Sequence, residues 1–271
     1  MSHPATLTPE QVQFFYDNGY LVVRNAIPMA IIEQLREGAE QLEERFRDYR
    51  EDPGVYYTTP KATSFEEMMN GVAARQATAV DERVLWRVDN LDEHLPQVAA
   101  LKSCAFVHNA MQALLGDEIL QYNEAYVTKP PRIGQTVHWH QDPSFKVKKA
   151  PDPIATCDVY LDYADEENGC LWVIPGSHKH GVIDVAPLVE KHGFDLPGAI
   201  PVRMSPGDVA FHDNGTLHGS KENKSDRYRR IVYLAFQTVR QARLADVFDE
   251  EFITKRREAF DAYRRIALGN K

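Results

Sequence analysis

His140 and Asp142, in the run His138-Trp139-His140-Gln141-Asp142, are the pair in this 271-residue chain best placed to do chemistry. On an extended strand, side chains two positions apart leave the same face, so both can approach one cation. A histidine and a carboxylate without cysteine suit an intermediate divalent metal such as Fe(II). HxD by itself is a common pattern, and two surface residues at a strand end look the same. A second segment strengthens the metal reading. Phe211-His212-Asp213-Asn214-Gly215-Thr216-Leu217-His218-Gly219-Ser220 follows Pro206-Gly207-Asp208 and offers a third ligand from a distant strand. Two histidines and one carboxylate leave three adjacent positions open on the metal. His138 has the parity of His140, so a His138/His140 pair is also conceivable.

An arginine adds to this set. If Lys221–Asp226 holds a turn centred on Asn223-Lys224, residue 218 lies opposite 229 and 220 opposite 227. Directly opposed residues share a face. Arg229 is therefore expected in the same cavity as His218, and Arg230, of the other parity, is expected to face outward. A buried arginine beside a metal needs an anionic partner, for which a bidentate carboxylate clamp is the usual solution. A metal triad with a carboxylate-binding arginine is what 2-oxoglutarate requires.

The elements that position these residues fall into two parts. Thr8-Pro9-Glu10-Gln11 reads as a capping box opening a helix that stops near Asn18-Gly19. A β-rich run, Tyr20 to Val23, follows, then an amphipathic helix marked by Ile31, Ile32, Leu35, Ala39, Leu42 and Phe46. Residues 52–80 read as a long irregular loop or lid with a short helical piece near Glu66–Met69, and a further helix spans roughly 96–115. From about 118 the chain turns to short β-rich runs: Leu120–Thr128, Val137–His140, Ala155–Tyr163, Leu171–Ile174, Val209–His212 and Arg229–Val239. Strands after an all-helical first third indicate an antiparallel sandwich or barrel packed against N-terminal helices. Asp249–Leu268 is helical and highly charged. With no repeat or linker, the expectation is one domain, divided into helical support and lid (1–117), β core (118–240) and helical tail (241–271).

Composition bounds the class. The net charge of −9 disfavours nucleic acid as a partner, no apolar run approaches a membrane span, and the first residues are too polar for a signal peptide. Three cysteines, Cys104, Cys157 and Cys170, give an odd count without pair spacing, against a disulfide framework or thiolate zinc site. The expectation is a cytoplasmic protein acting on a small molecule. Lys146, Lys148 and Lys149, just after HxD, could meet a phosphate or carboxylate.

The chain resembles the phytanoyl-CoA dioxygenase family of Fe(II)/2-oxoglutarate oxygenases. The matching pieces are Leu7–Arg24, Lys129-Pro130-Pro131, His140-Gln141-Asp142, Asn168–Lys179 and His218-Gly219-Ser220 with Arg229. The resemblance implies a double-stranded β-helix core, a cupin-like jelly-roll flanked by N-terminal helices. It implies Fe(II) held by His140, Asp142 and His218, with 2-oxoglutarate and O₂ as cosubstrates and the far carboxylate of 2-oxoglutarate on Arg229. Ser220 is expected to help at that carboxylate, and Asn123, on the strand before the Lys-Pro-Pro turn, at the cosubstrate. His138 is left on the substrate side. Many relatives carry Trp where this chain has Asp158; with Thr156 and Tyr160 it shares a strand face, so Asp158 and Tyr160 are candidate substrate contacts, or Asp158 an internal salt bridge. Halogenating relatives lack the carboxylate ligand, so Asp142 implies hydroxylation or a related oxidation. A cupin-like metal isomerase or hydrolase and a non-catalytic 2-oxoglutarate or metal binder are the rivals.

Overall fold

The computed structural model describes residues 3–48, 51–59, 62, 64–70, 83–143 and 150–269. Two antiparallel sheets face each other in a jelly-roll. The larger runs in the order β1 (Tyr20–Val23), β9 (Val209–Asp213), β6 (Ala155–Tyr160), β11 (Arg229–Thr238), β4 (Ile119–Lys129), β3 (Val84–Asp89), β2 (Val55–Thr58). The smaller is β5 (Val137–His140), β10 (His218–Ser220), β7 (Leu171–Val173), β8 (Ile200–Val202). Side-chain alternation sorts each large-sheet strand between two environments. Cys157, Val159, Phe211, Val232 and Leu234 point outward into a core shared with helices. Ala125, Val127, Tyr160, Ala210 and Ile231 point inward, towards Val173 and Val202 of the small sheet.

The helical cover comes mostly from the N-terminal third. α1 (Pro9–Asn18) begins at the expected capping box, in which the Thr8 hydroxyl accepts from the Gln11 amide and the Gln11 side chain accepts from the Thr8 amide. It ends at Gly19, whose φ of +75° is left-handed and whose added Cβ would lie 2.3 Å from Thr216 Oγ1. α2 (Met29–Arg45) buries Ile32, Leu35, Ala39 and Leu42. The helix expected over 96–115 is broken in two, Val98–Lys102 and Ala105–Leu115, at Ser103-Cys104. The C-terminal helix (Glu250–Leu268) packs Ile253 and Phe260 inward, Phe260 lying on Phe236 of β11.

The expectation of an all-helical first third is overturned. β1, β2 and β3 lie in it, and all three extend the large sheet, β1 beside β9 and β3 beside β4. β2 and β3 escape notice because Val55-Tyr56-Tyr57-Thr58 and Val84–Asp89 are short, nearly continuous apolar runs without alternation. Of the expected lid, the short helix is found as α3 (Phe65–Asn70); residues 60, 61, 63 and 71–82 lie outside the described residues.

Candidate active site

β5 and β10 are hydrogen-bonded neighbours, and His140 pairs directly with His218. Each imidazole is held by the same device. His140 Nδ1 donates to the carbonyl of His138 at 2.7 Å, and His218 Nδ1 donates to the carbonyl of Thr216 at 2.8 Å. A carbonyl only accepts, so both rings are fixed as the tautomer that leaves Nε2 free for a metal. Asp142 follows β5 and is anchored by its amide to the Asn214 carbonyl at 2.9 Å. One ligand atom from each of His140, Asp142 and His218 lies within 4.8 Å of the others. Two neutral imidazole nitrogens and one carboxylate oxygen form a donor set that fits Fe(II).

The electrostatics agree with that set. Burial, reinforced by the neighbouring His218, holds the His140 pKa down to about 3, and burial lowers His218 as well. Burial alone raises the Asp142 pKa, but the hydrogen bond with His212 and the surrounding imidazoles outweigh it and keep the group well below the usual carboxylate range. His212 lies against the triad, between Asp142 and Asp158. Its Nε2 is 3.4 Å from Asp142 Oδ2, its Nδ1 is 3.1 Å from Asp158 Oδ2, and Thr156 Oγ1 is 2.7 Å from Nδ1. Burial lowers the His212 pKa, yet the flanking Asp158 and Asp142 push it up to about 10. Asp158 thus forms the internal salt bridge and also lines the cavity. The β6–β9 register, Thr156 opposite His212 and Asp158 opposite Ala210, builds this chain of groups, and no pattern within either segment announces it.

Arg229 reaches the cavity by a different route from the expected hairpin. β10 pairs with β5 and β7, whereas β11 pairs with β4 and β6, so residues 218 and 229 are not cross-strand partners. The connecting segment crosses from one sheet to the other. Asn223 pins it by donating to the carbonyls of Lys129, Pro130 and Arg227, which replaces the two-strand turn that Asn223-Lys224 suggested. The facing of the sheets still brings Arg229 to Ser220: Nη2 donates to Ser220 Oγ at 3.3 Å and Nε to the Gly169 carbonyl at 3.1 Å. Arg229 is only 4% exposed, and among the described residues it has no ion-pair partner. Burial lowers its pKa, opposed by the nearby Tyr160.

A cavity of about 360 Å³ joins the triad to Arg229. Tyr160, Asp158 and Asn123 all line it; Asn123 Nδ2 donates to the Tyr233 hydroxyl at 3.2 Å. His138 does not line it. Between His218 and Ser220 the β5–β10 register slips, so Gly219 opposes both His138 and Trp139. This bulge reverses the parity: Val137 lines the cavity, while His138 faces an outer cleft with its Nε2 3.2 Å from the Ala62 carbonyl. α3 packs against β5. Phe65 stacks on the His140 ring with centroids 3.6 Å apart, and Met69 and Trp86 lie beside it. Phe65 and Tyr233 were not singled out from sequence, because an aromatic residue in a loop or strand carries no signal of what it faces. Lys146, Lys148 and Lys149 lie outside the described residues.

A family model described as phytanoyl-CoA dioxygenase (PhyH) matches residues 15–231, from α1 into β11. The chain belongs to the phytanoyl-CoA dioxygenase family. It is similar to the peroxisomal phytanoyl-CoA dioxygenase of Rattus norvegicus, 25% identical over 250 residues that cover 83% of this chain and 67% of that protein. It is also similar to a probable alpha-ketoglutarate-dependent hypophosphite dioxygenase of Stutzerimonas stutzeri, 26% identical over 239 residues, 84% and 77% of the two chains. Among solved structures, EctD from S. alaskensis with bound Fe superimposes with a TM-score of 0.65 over 87% of this chain and 78% of its own, at 23% identity. As a member of the family, the protein is a non-haem oxygenase that uses iron and 2-oxoglutarate. The isomerase, hydrolase and non-catalytic alternatives give way to that assignment. Among the described residues, no helix is long and apolar enough to cross a membrane.

Proposed function

We propose that the protein hydroxylates a small molecule at the His140/Asp142/His218 centre, as a single oxygenase domain spanning the chain, with Arg229 and Ser220 holding the far carboxylate of 2-oxoglutarate. The observation that carries this reading is the buried Arg229 guanidinium, without an ion-pair partner among the described residues, at one end of a cavity whose other wall bears the triad. When bound, iron and 2-oxoglutarate supply the oxidising chemistry, with release of succinate and CO₂.

The chain's own residues supply geometry and dryness. His138 and Thr216 carbonyls hold the two imidazoles, and His212, itself held by Asp158, fixes the Asp142 carboxylate so that it presents one oxygen inward. Arg229 and Ser220 set the direction in which a dicarboxylate lies, and Asn123 is retained as a further cosubstrate contact. Phe65, Met69 and Trp86 keep bulk water from the centre. Relatives named for an acyl-CoA and for hypophosphite show that the family name does not carry the substrate.

Anaerobic titration of the Fe(II) protein with 2-oxoglutarate tests the reading. A metal-to-ligand charge-transfer band is expected, lost in Asp142→Ala and His218→Ala along with succinate production. Full succinate production in either variant overturns the triad, and no band in the unmodified protein overturns the oxygenase site.

A further inference from the structure

The cavity contains a second buried guanidinium. Arg87 lies on β3, two strands beyond β11 on the side away from β6 and β9. The register places Arg87 opposite Val127, Val127 opposite Ile231 and Ile231 opposite Tyr160, so the four form one row across the inner face. At about 4.8 Å per strand, the Arg87 backbone stands roughly 14 Å from β6, which carries Asp158 beside the triad. The side chain reaches back towards the centre, with its guanidinium carbon 5.0 Å from the ring centroid of Tyr233 on β11. Ala125, the small residue paired with Tyr233 on the intervening strand, leaves room for it.

Arg87 is not spent on scaffolding. Its Nε donates to Asp89 Oδ1 at 2.6 Å, and that is its one protein hydrogen bond among the described residues. The Tyr56 ring also lies beside Arg87, its centroid 5.9 Å from the guanidinium carbon. Arg230, buried to the same degree, behaves differently: it clamps Asp162 with both Nε and Nη2, at 2.8 and 3.1 Å. A fully engaged structural arginine in this protein therefore uses both edges of its fork. Arg87 uses one, so among the described residues Nη1 and Nη2 have no partner, and the residue lines the cavity beside Tyr233.

We propose that Arg87 is the substrate anchor, and that the substrate carries a terminal oxyanion group (a carboxylate, phosphonate or phosphate) bound by Arg87 while a carbon several bonds away lies at the metal centre. This rests on the oxygenase reading above and deepens it. Two arginines then divide the cavity: Arg229 takes the cosubstrate's far carboxylate and Arg87 takes the substrate's. A planar donor pair suits both planar and tetrahedral oxyanions, and the separation from β6 calls for a substrate longer than the anion alone.

The test uses the Fe(II) protein saturated with 2-oxoglutarate under nitrogen, so that Arg229 and the metal are already engaged. Propionate, methylphosphonate and the neutral isostere propionamide are titrated by calorimetry into the unmodified protein, Arg87→Gln and Arg87→Lys. The expected result is that at least one anion binds the unmodified protein at least tenfold more tightly than propionamide does. Arg87→Gln should lose at least tenfold for that anion, and Arg87→Lys, which keeps the charge but not the fork, should fall between. The affinity of each variant for 2-oxoglutarate should stay within about twofold of the original, which also reports that the fold is intact. The proposal is overturned if neither anion binds, if propionamide binds as well as the anions, or if Arg87→Gln binds them unchanged. Planar against tetrahedral preference separates a carboxylate from a phosphonate or phosphate substrate. If 2-oxoglutarate itself does not bind, the oxygenase site fails, and the same anion titration without it still decides Arg87.

Discussion

Arg229→Met and Arg230→Met change adjacent residues of one strand, yet they should have opposite consequences. Arg229 is buried, and among the described residues it donates only to neutral partners, the Gly169 carbonyl and the Ser220 hydroxyl. Removing it leaves those acceptors short of a donor, at about 1–3 kcal/mol for a buried group. It also removes an uncompensated buried charge, whose desolvation costs several kcal/mol even after relaxation. The two effects offset, so Arg229→Met should leave stability within about 1 kcal/mol, a shift in Tm of at most about 4 °C. Arg230 is clamped on Asp162, with Glu40 and Glu43 at 3.7 and 3.9 Å. Breaking a buried pair on one side costs about 3–5 kcal/mol, so Arg230→Met should lower Tm by roughly 6–20 °C. Binding of 2-oxoglutarate should follow the reverse order. Losing one partner of a desolvated charge pair costs about 2–5 kcal/mol, roughly 30-fold to several-thousand-fold in Kd. Arg230→Met should keep near-normal affinity wherever it remains folded. Calorimetric melting and titration with 2-oxoglutarate measure both quantities on the same samples. If Arg229→Met melts as early as Arg230→Met, or binds 2-oxoglutarate like the unmodified protein, then Arg229 is a scaffold residue and its place in the site is wrong.

His212→Leu removes the imidazole between Asp158 and Asp142. Loss of such an outer partner typically lowers metal affinity by about 10–100-fold, so calorimetric titration with Fe(II) or Co(II) should show a drop in that range, and unchanged affinity refutes the positioning role. His108 supplies a pH signature away from the site. Its ring is buried, with Nε2 2.6 Å from the Lys102 carbonyl, and burial lowers its pKa below the ordinary value of 6.5. As pH falls below 6.5, the unfolded chain takes up a proton that the folded chain refuses. The stabilisation present above that pH is therefore lost on acidification, with a slope of at most about 1.4 kcal/mol per pH unit. Urea unfolding between pH 5 and 7 should show this slope reduced in His108→Gln; parallel curves would show that His108 does not titrate differently on folding.

What could be read from the sequence was what a short stretch of chain decides by itself. The Thr8–Gln11 capping box and the Gly19 stop are satisfied within one helix. The strands at Ile119–Lys129, Val137–His140 and Arg229–Thr238 announce themselves by apolar β-branched and aromatic runs. His140 and Asp142 need only their spacing. What could not be read was pairing. The hairpin between 218 and 229 fails because Asn223 draws the connection across to Lys129 and Pro130, hydrogen bonds to residues more than ninety positions away. His138 is misplaced for a related reason: its parity is set by a bulge against Gly219, where an added Cβ would lie 3.0 Å from the Val137 carbonyl oxygen. Arg229 was placed in the cavity correctly by an incorrect route, since opposed sheets and paired strands both bring side chains face to face.

The same distinction separates the chemistry of the site from its selectivity. The groups proposed to hold a metal and a dicarboxylate stand on or just after β4, β5, β10 and β11, with His212 on β9 and Asp158 on β6 beside them. β5 and β10 carry the short motifs, because ligand number, ligand type and spacing are dictated by the ion. The rest of the wall comes from elsewhere: Trp86 and Arg87 from β3, and Phe65 and Met69 from α3, the helical piece of the expected lid. β3 and β2 extend the large sheet past β4, and this extension carries Arg87 to the cavity. No ion dictates residue types there, only the shape and charge of what must fit, so no motif is to be expected and none is seen. A buried guanidinium engaged on one edge of its fork is the kind of signal such a wall can give, and it becomes visible only once Asp89, Tyr56 and Tyr233 have been placed around it.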